Sequence, residues 1–380
     1  VSLVECEDLL LSPLEKGGGL IVLTAFDLAE SAPLDVQTVA GRPGAVYGHE
    51  NAMYLAVRQY KEQAMFWPAT GPFATGQTTL IHRFPVDAES AQVSYSGSAA
   101  VAGQLLNQFS MDEWENHLRV ATTVRDDGQQ TSSSVYVLDA QADDLKVTGS
   151  VTGLGPNEDI RAARFVGASG YIVTFEKTDP LYVLDLSNPA SPVVTGELVI
   201  PGFSTYIHPL DENHLMTIGY DANDMGAFSW FDGIRLQIIG VGDPLEPTLL
   251  HTEIIGTRGS SSDAAVNHLA FNWFPEKNRL ALPMAVCEGG GWGSPGQSAK
   301  FNGLMVYSAT PESGFEYLGG VPHPLPPDED DTCFNWWTKS NSQVERSIFM
   351  DDWVFSVTRD EIRIANVAEL DNPVKVIAFK

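Results

Sequence analysis

Basic residues are scarce in this chain: 22 Lys and Arg stand against 49 Asp and Glu in 380 residues, a formal net charge of -27. Such a surface repels nucleic-acid phosphates and anionic lipid heads, so neither is an expected partner. The acidity suits divalent cations, cationic partners or simple solubility. Long apolar runs are missing as well. No stretch approaches the ~20 consecutive apolar residues that span a bilayer, so no transmembrane segment is expected. The chain opens on Val1-Ser-Leu-Val-Glu-Cys6 without a signal peptide, which reads as a mature or trimmed fragment.

Standard catalytic signatures are lacking too. Gly202-Phe-Ser204-Thr-Tyr206 has no final Gly of a nucleophile elbow. His49-Glu50 is followed by Met53 where a zinc protease needs His. No Cys or His cluster has the spacing of a structural zinc site. Only three cysteines occur, Cys6, Cys287 and Cys333. The last two flank a Gly-, Pro- and Asp-rich insertion, and a bridge between them is the favoured pairing. In the chain-entropy model it would stabilise by ~4 kcal/mol, and it implies an oxidising compartment. Cys6 is then left over and points to a partner upstream. Three unpaired buried thiols are the alternative.

What is abundant is a repeated strand-turn-strand phrase. It is clearest at Leu181-Tyr-Val-Leu-Asp185, then Asn188-Pro189-Ala-Ser-Pro192, then Val193-Val-Thr-Gly-Glu-Leu-Val-Ile200. Gly242-Asp-Pro244 repeats the turn one unit later, where Pro presets φ and ends the strand. Strand sets recurring every 40 to 50 residues or so mean a propeller, whose small sheets bury both faces only when neighbours stack on them. A hydrophobic share of 43% supplies the core, and 34 Gly with 23 Pro supply the turns. The expected fold is therefore all-β, a β-propeller of four-stranded blades. About six and a half blades are visible, of seven to eight in the intact protein. Residues 1–19 read as an N-terminal extension or the remnant of an upstream segment. Residues 20–380 form the propeller, with a long insertion at about 286–302 and 322–345. The opening half unit, Leu20 to Val39, needs further strands, because an open edge exposes unpaired backbone groups. An upstream fragment is favoured as their source over residues 1–16, and another chain could also complete the ring.

Several phrases carry a family resemblance: Gly103-Gln-Leu-Leu-Asn-Gln-Phe-Ser-Met-Asp-Glu113, Ala163-Arg-Phe-Val-Gly167, Val173-Thr-Phe175 with Asp179-Pro-Leu-Tyr-Val-Leu-Asp185, and Ile200-Pro-Gly-Phe-Ser-Thr-Tyr-Ile-His208. From about Gly44 onward the chain resembles secreted bacterial and archaeal proteins with a C-terminal β-propeller distantly related to WD40 repeats. The resemblance implies a secreted, periplasmic or surface-attached propeller, with further strand units before the region of Leu20. Two departures stand out: Asn267-His268 replaces a common Asp-His, and the insertion between Cys287 and Cys333 is longer and more acidic than usual.

Three sets of residues could carry function. Polar residues on or just before the innermost strands, His49, Glu50, Asp112, Glu113, Arg161, Arg164, Tyr206, His208, Asn267, His268 and Arg346, could line a central channel and bind a small ligand or a metal. Mutual neutralisation in a wet channel is the alternative. Asp221-Ala-Asn223-Asp224-Met225-Gly226 with Asp232 partly matches a calcium loop, whose oxygen ligands sit at positions 1, 3, 5 and 12 around a Gly at 6. Here Met225 spoils position 5, and strands flank the loop. Loop aromatics, Trp67, Trp230, Trp292, Trp336 and Trp337, suit glycan stacking or a protein interface; packing of the long insertions is the alternative. The expectation is a noncatalytic binding or scaffold module for a protein or glycan at the cell surface. The alternatives are a hydrolase or lyase resting on Arg161, Arg164, His208 and His268, and a structural subunit of an extracellular assembly.

Overall fold

The computed structural model describes residues 9–10, 19–27, 35–42, 44–60, 77–125, 130–141, 145–175, 179–200, 202–224, 229–291, 294, 296, 298–324, 333 and 340–379. Apart from short 3₁₀ turns, every regular element among them is a β-strand. The strands assemble into seven sheets. The first contains β1 (Leu9–Leu10), β2 (Leu20–Ala25) and β3 (Asp35–Ala40) in the order β1-β3-β2. The second runs β4 (Ala45–His49), β5 (Ala52–Tyr60), β6 (Gln77–Asp87) and β7 (Gln92–Val93), with β8 (Gly97–Ala102) also paired to β6.

The other five sheets each have four strands in sequence order. The third holds β9 (Met111–Trp114), β10 (His117–Arg125), β11 (Thr131–Asp139) and β12 (Lys146–Leu154). The fourth holds β13 (Asp159–Val166), β14 (Ser169–Phe175), β15 (Asp179–Asp185) and β16 (Val193–Ile200). The fifth is β17 (Phe203–Pro209), β18 (His214–Asp224), β19 (Ser229–Gly240) and β20 (Thr248–Ile255). The sixth is β21 (Asn272–Phe274), β22 (Arg279–Glu288), β23 (Ser298–Thr310) and β24 (Gly314–Pro322). The seventh is β25 (Arg346–Met350), β26 (Trp353–Val357), β27 (Glu361–Asn366) and β28 (Lys375–Ala378). Packing divides the chain into two compact units, residues 1–176 with 184–195, and residues 177–183 with 196–380.

The five four-stranded sheets grade from buried central strands to a more exposed last strand. β28 is exposed throughout, while Val354 of β26 and Ala365 of β27 are fully buried. Facing sheets bury these central strands against each other. In unit 1, Tyr54, Ala56 and Ile81 of the second sheet pack with Leu118, Val120 and Leu138 of the third. In unit 2, Leu304, Val306 and Val321 pack with Val344, Val354 and Ala365. Each such Leu, Ile or Val side chain contributes about 1.5–3 kcal/mol by leaving water, which is why a single sheet of this kind does not stand alone.

The repeated Pro-containing turns have a packing role. The Asn188-Pro189 turn lies against Gly149 of β12, and the Asp243-Pro244 turn lies against Gly196 of β16. A Cβ at these glycines would fall 2.4 Å from the Pro189 carbonyl oxygen and 2.3 Å from that of Pro244. Both turns are tied by their own first side chain, Asn188 Oδ1 accepting from the Ala190 N–H and Asp243 Oδ1 from the Leu245 N–H.

Four details of the structure go beyond the sequence reading. Leu9–Leu10 pairs in parallel with Thr38 and Val39 of β3, so the first 19 residues contribute a strand to the opening sheet. The stretch 286–302 is largely a lengthened hairpin, because the ladder continues to Glu288 opposite Ser298. His268 lies in a 3₁₀ turn, not a strand: the Asn267 side chain accepts the Leu269 N–H and caps the turn, and β21 starts only at Asn272. The small residues Gly97 to Ala102 form β8, which pairs with the first half of β6.

Candidate functional site

The first strands β9, β13, β17 and β25 carry most of the polar candidates, and β9 shows how they are held. Alternation sends Asp112 and Glu113 to opposite faces. Glu113 has a side chain 7% exposed. Its Oε2 accepts the Tyr54 O–H at 2.5 Å, His49 Nδ1 stands 3.7 Å away, and its backbone N–H donates to the Tyr47 oxygen at 3.0 Å. Arg83 Nε donates to the Tyr54 oxygen at 3.2 Å. Burial, and then the hydrogen bond and charge of Glu113, push the Tyr54 hydroxyl above its usual range. Asp112 pairs with Arg119 directly across the β9–β10 ladder. The Arg119 guanidinium also donates to the Gly167 carbonyl and lies 5.6 Å from the Trp114 ring and 5.2 Å from the Phe165 ring. Tyr54 and Arg119 were not visible as site residues in the sequence. A charged residue inside the apolar run of β10 was the one available sign of Arg119.

Arg161 and Arg164 belong to unit 1, on β13. The Arg164 guanidinium lies 4.8 Å over Phe109 and that of Arg161 lies 5.9 Å over Phe175. His208 and His268 belong to unit 2 and are brought together by Tyr206. Tyr206 and His208 share a face of β17, with the Tyr206 hydroxyl 3.3 Å from His208 Nδ1. His268 stacks on Tyr206 at 6.5 Å, and Phe271 lies 5.1 Å from Tyr206 and 5.2 Å from His208. Near the Asn267 turn, Asp263 Oδ2 accepts from Asn267 Nδ2 at 3.5 Å. Burial raises the Asp263 carboxyl above its usual range; Arg346 opposes this and Glu345 reinforces it. Glu345 in turn accepts from Arg359 Nε at 2.6 Å.

Asp221 and Asp232 lie along a hairpin ladder and not in a compact loop: Ala222 pairs with Phe231 and Asn223 with Trp230. The Asp221 carboxylate forms an ion pair with Arg235. Among the described residues no three His, Cys, Asp or Glu side chains come together as a metal-binding group. Met225, Trp67, Trp292, Trp336, Trp337 and Cys6 lie outside the described residues.

Trp230, expected in a loop, lies in β19 opposite Asn223 because the hairpin ladder continues past it, and it carries the Arg258 guanidinium 4.3 Å over its ring. Sequence pattern gave no sign of Arg258, which sits in a turn. That turn is anchored on Cys287. The Cys287 carbonyl accepts from the Thr257 N–H at 2.8 Å, from Thr257 Oγ1 at 3.1 Å and from Ser260 Oγ at 3.2 Å. Cys287 itself is disulfide-bonded to Cys333, Cα to Cα 5.8 Å. Among the described residues no carboxylate forms an ion pair with Arg258.

With seven largely antiparallel sheets in place, the family comparison is decisive: the beta propeller domain model matches residues 1–370. The chain belongs to the beta propeller domain family. Among curated proteins, an uncharacterized protein of Archaeoglobus fulgidus is 41% identical over 182 residues, 48% of this chain and 26% of that protein. One of Methanocaldococcus jannaschii is 47% identical over 137 residues, 36% of this chain and 22% of that protein. The chain thus spans about a quarter of the length of the curated relatives it matches. Among solved structures, the propeller is similar to the periplasmic gluconolactonase of Pseudomonas aeruginosa, with 11% identity and TM-score 0.46 over 94% of this chain and 96% of that one. It is also similar to the Pan2 WD40 domain of Neurospora crassa, with 9% identity and TM-score 0.43 over 90% and 80% of the two chains. No helix among the described residues is long and apolar enough to cross a membrane.

Proposed function

We propose that this propeller is a noncatalytic binding or scaffold module, secreted or held at the cell surface, which engages a protein or glycan through aromatic-bearing loops. The observation that carries the reading is the Trp230–Arg258 pair. In a chain with 49 acidic and 22 basic residues, carboxylate partners abound, yet this guanidinium stacks on indole and takes none of them among the described residues. A stacked guanidinium keeps its planar fork of donors for carboxylate, sulfate or sugar hydroxyl groups, and its turn is anchored on the disulfide. Several inner-strand candidates, by contrast, are already engaged: Asp112 with Arg119, Glu113 with Tyr54, Tyr206 with His208.

The test is a glycan and protein array probed with the purified chain. Ligands found this way should lose at least tenfold in affinity on Trp230→Ala and on Arg258→Ala, with the melting temperature unchanged. Binding indifferent to both changes overturns the assignment to these loops. The Tyr206, His208, His268 and Asp263 neighbourhood is the basis of the alternative, a hydrolase or lyase; turnover of an ester, lactone or polysaccharide that disappears in His208→Ala would establish it. Calcium at Asp221, Asn223 and Asp232 would have to compete with Arg235 for the Asp221 carboxylate.

A further inference from the structure

The turn that carries Arg258 is seated on a disulfide-bonded residue. Thr257 to Ser260 closes tightly, the Ser260 N–H donating to the Thr257 carbonyl at 2.9 Å, and glycines in the left-handed region stand at either side of Thr257 and Arg258, Gly256 at φ 68° and Gly259 at φ 101°. Its hydrogen bonds converge on Cys287 of β22. The Cys287 carbonyl accepts from the Thr257 N–H and from the Thr257 and Ser260 hydroxyls, and the Cys287 N–H donates back to Ser260 Oγ at 2.9 Å. The hairpin beyond β22 adds two more: the Gly296 N–H donates to the Arg258 carbonyl at 2.7 Å and the Gly290 N–H to Thr257 Oγ1 at 3.0 Å.

Cys333 completes the seat from a distant part of the chain. It packs so close to the turn that a Cβ on Gly259 would lie 2.9 Å from the Cys333 Cβ, and a Cβ on Gly296 would lie 2.7 Å from the Cys287 Cβ and 3.3 Å from that of Cys333. Cys333 is 3% exposed, yet it makes no hydrogen bond among the described residues. What keeps it under the turn is the covalent bond to Cys287 across a sequence separation of 46; without that bond, closing so long a loop costs conformational entropy. The sheet beneath is held differently. β22 pairs with β23 from Arg279 to Glu288, and that ladder does not depend on sulfur.

We infer that the Trp230–Arg258 contact is redox-conditional: it stands while Cys287 and Cys333 are bridged and is lost, with the sheet intact, when they are thiols. The step is a two-electron thiol–disulfide exchange. A dithiol attacks through its thiolate, the S–S bond breaks, the reductant leaves as its own disulfide, and its two protons pass to the sulfurs of Cys287 and Cys333. Cys333 then departs from Gly259, the turn loses one wall, and the guanidinium no longer sits 4.3 Å over the indole. The consequence for ligand binding rests on reading this pair as the binding site; the change at Arg258 itself does not.

The experiment reads Arg258 without any ligand. The full 380-residue chain, bridged or reduced with dithiothreitol, is treated with phenylglyoxal, which modifies accessible guanidinium groups, and the peptide containing Arg258 is quantified by mass spectrometry. Reduction should speed modification of Arg258 about fivefold or more. Arg359, whose side chain is 85% exposed between β26 and β27, should react at the same rate in both states, and circular dichroism should keep its strand signal. The double variant Cys287→Ser with Cys333→Ser should behave as the reduced chain does, and Trp230→Ala should give the fast rate even when bridged. An Arg258 rate indifferent to reduction, or a strand signal that collapses on reduction, overturns the proposal. Faster modification of Arg258 on reduction, combined with undiminished binding of a ligand recovered from the array, would uphold the redox dependence and count against this pair as the binding site.

Discussion

His82 should make unit 1 acid-sensitive by an amount that follows from its surroundings. The ring is 1% exposed, lies 6.4 Å from Phe84 and 5.8 Å from Tyr95, and its Nδ1 is 3.2 Å from the Tyr95 hydroxyl. Nε2 is buried without a hydrogen-bond partner. Burial disfavours the charged ring and lowers its pKa from 6.5 to about 4. Because the folded value lies below the unfolded one, the neutral ring supports the fold fully above about pH 6.5. That support drains away as the pH falls toward 4. A gap of about 2.5 units at about 1.36 kcal/mol each gives about 3 kcal/mol. Urea unfolding of the unaltered chain and of His82→Leu, at pH 7 and pH 4, isolates this contribution, since carboxylates common to both proteins cancel in the difference. The stability difference between the two should move by about 3 kcal/mol in favour of the variant at the lower pH. A difference that stays constant, or an imidazole that titrates near 6.5 by NMR, would refute the burial argument.

Three other outcomes follow from particular contacts. Replacing Cys287 and Cys333 by Ser opens a loop of sequence separation 46 and should cost about 4 kcal/mol in chemical unfolding; an unchanged urea midpoint would contradict this. Asp112→Ala leaves the guanidinium of Arg119 buried without its carboxylate and should destabilise by about 3–5 kcal/mol, whereas a loss under about 1 kcal/mol would mean that ring stacking and the Gly167 carbonyl suffice. Gly149→Ala and Gly196→Ala each drive a methyl group into the carbonyl of a Pro turn and should each cost about 1–3 kcal/mol by overpacking, measurable as a lowered melting temperature.

The propeller was legible in the sequence because its signals are local. The Leu181 phrase, its Asn-Pro turn and the Asp243-Pro244 echo lie within single hairpins, and the strands they mark are β15, β16, β19 and β20. Elements with weak local signals were missed. β8 is built of Gly, Ser, Ala and Val with little alternation of polarity, and β1 is two residues long and held by a parallel pairing with Leu9 opposite Thr38. The Asn267 cap overrode an apolar stretch that reads as strand. Site partners were less visible still. Glu113 could be named from its strand, but its hydroxyl donor Tyr54 is 59 residues away, and Arg258 reaches Trp230 from a turn whose position depends on Cys287. Pairings of that range are set by which sheets stack, and no residue spacing encodes them directly.

The central claim, that the propeller binds without transforming its ligand, is tested most directly by recovering that ligand. A glycan or peptide selected on the array would be incubated with the unaltered chain, Arg258→Ala and His208→Ala, with affinity measured by calorimetry and the ligand's mass determined afterwards. The account predicts that the ligand returns intact, that Arg258→Ala loses at least tenfold in affinity, and that His208→Ala binds normally. A ligand returned cleaved by the unaltered chain but intact from His208→Ala would contradict the account and make this propeller an enzyme.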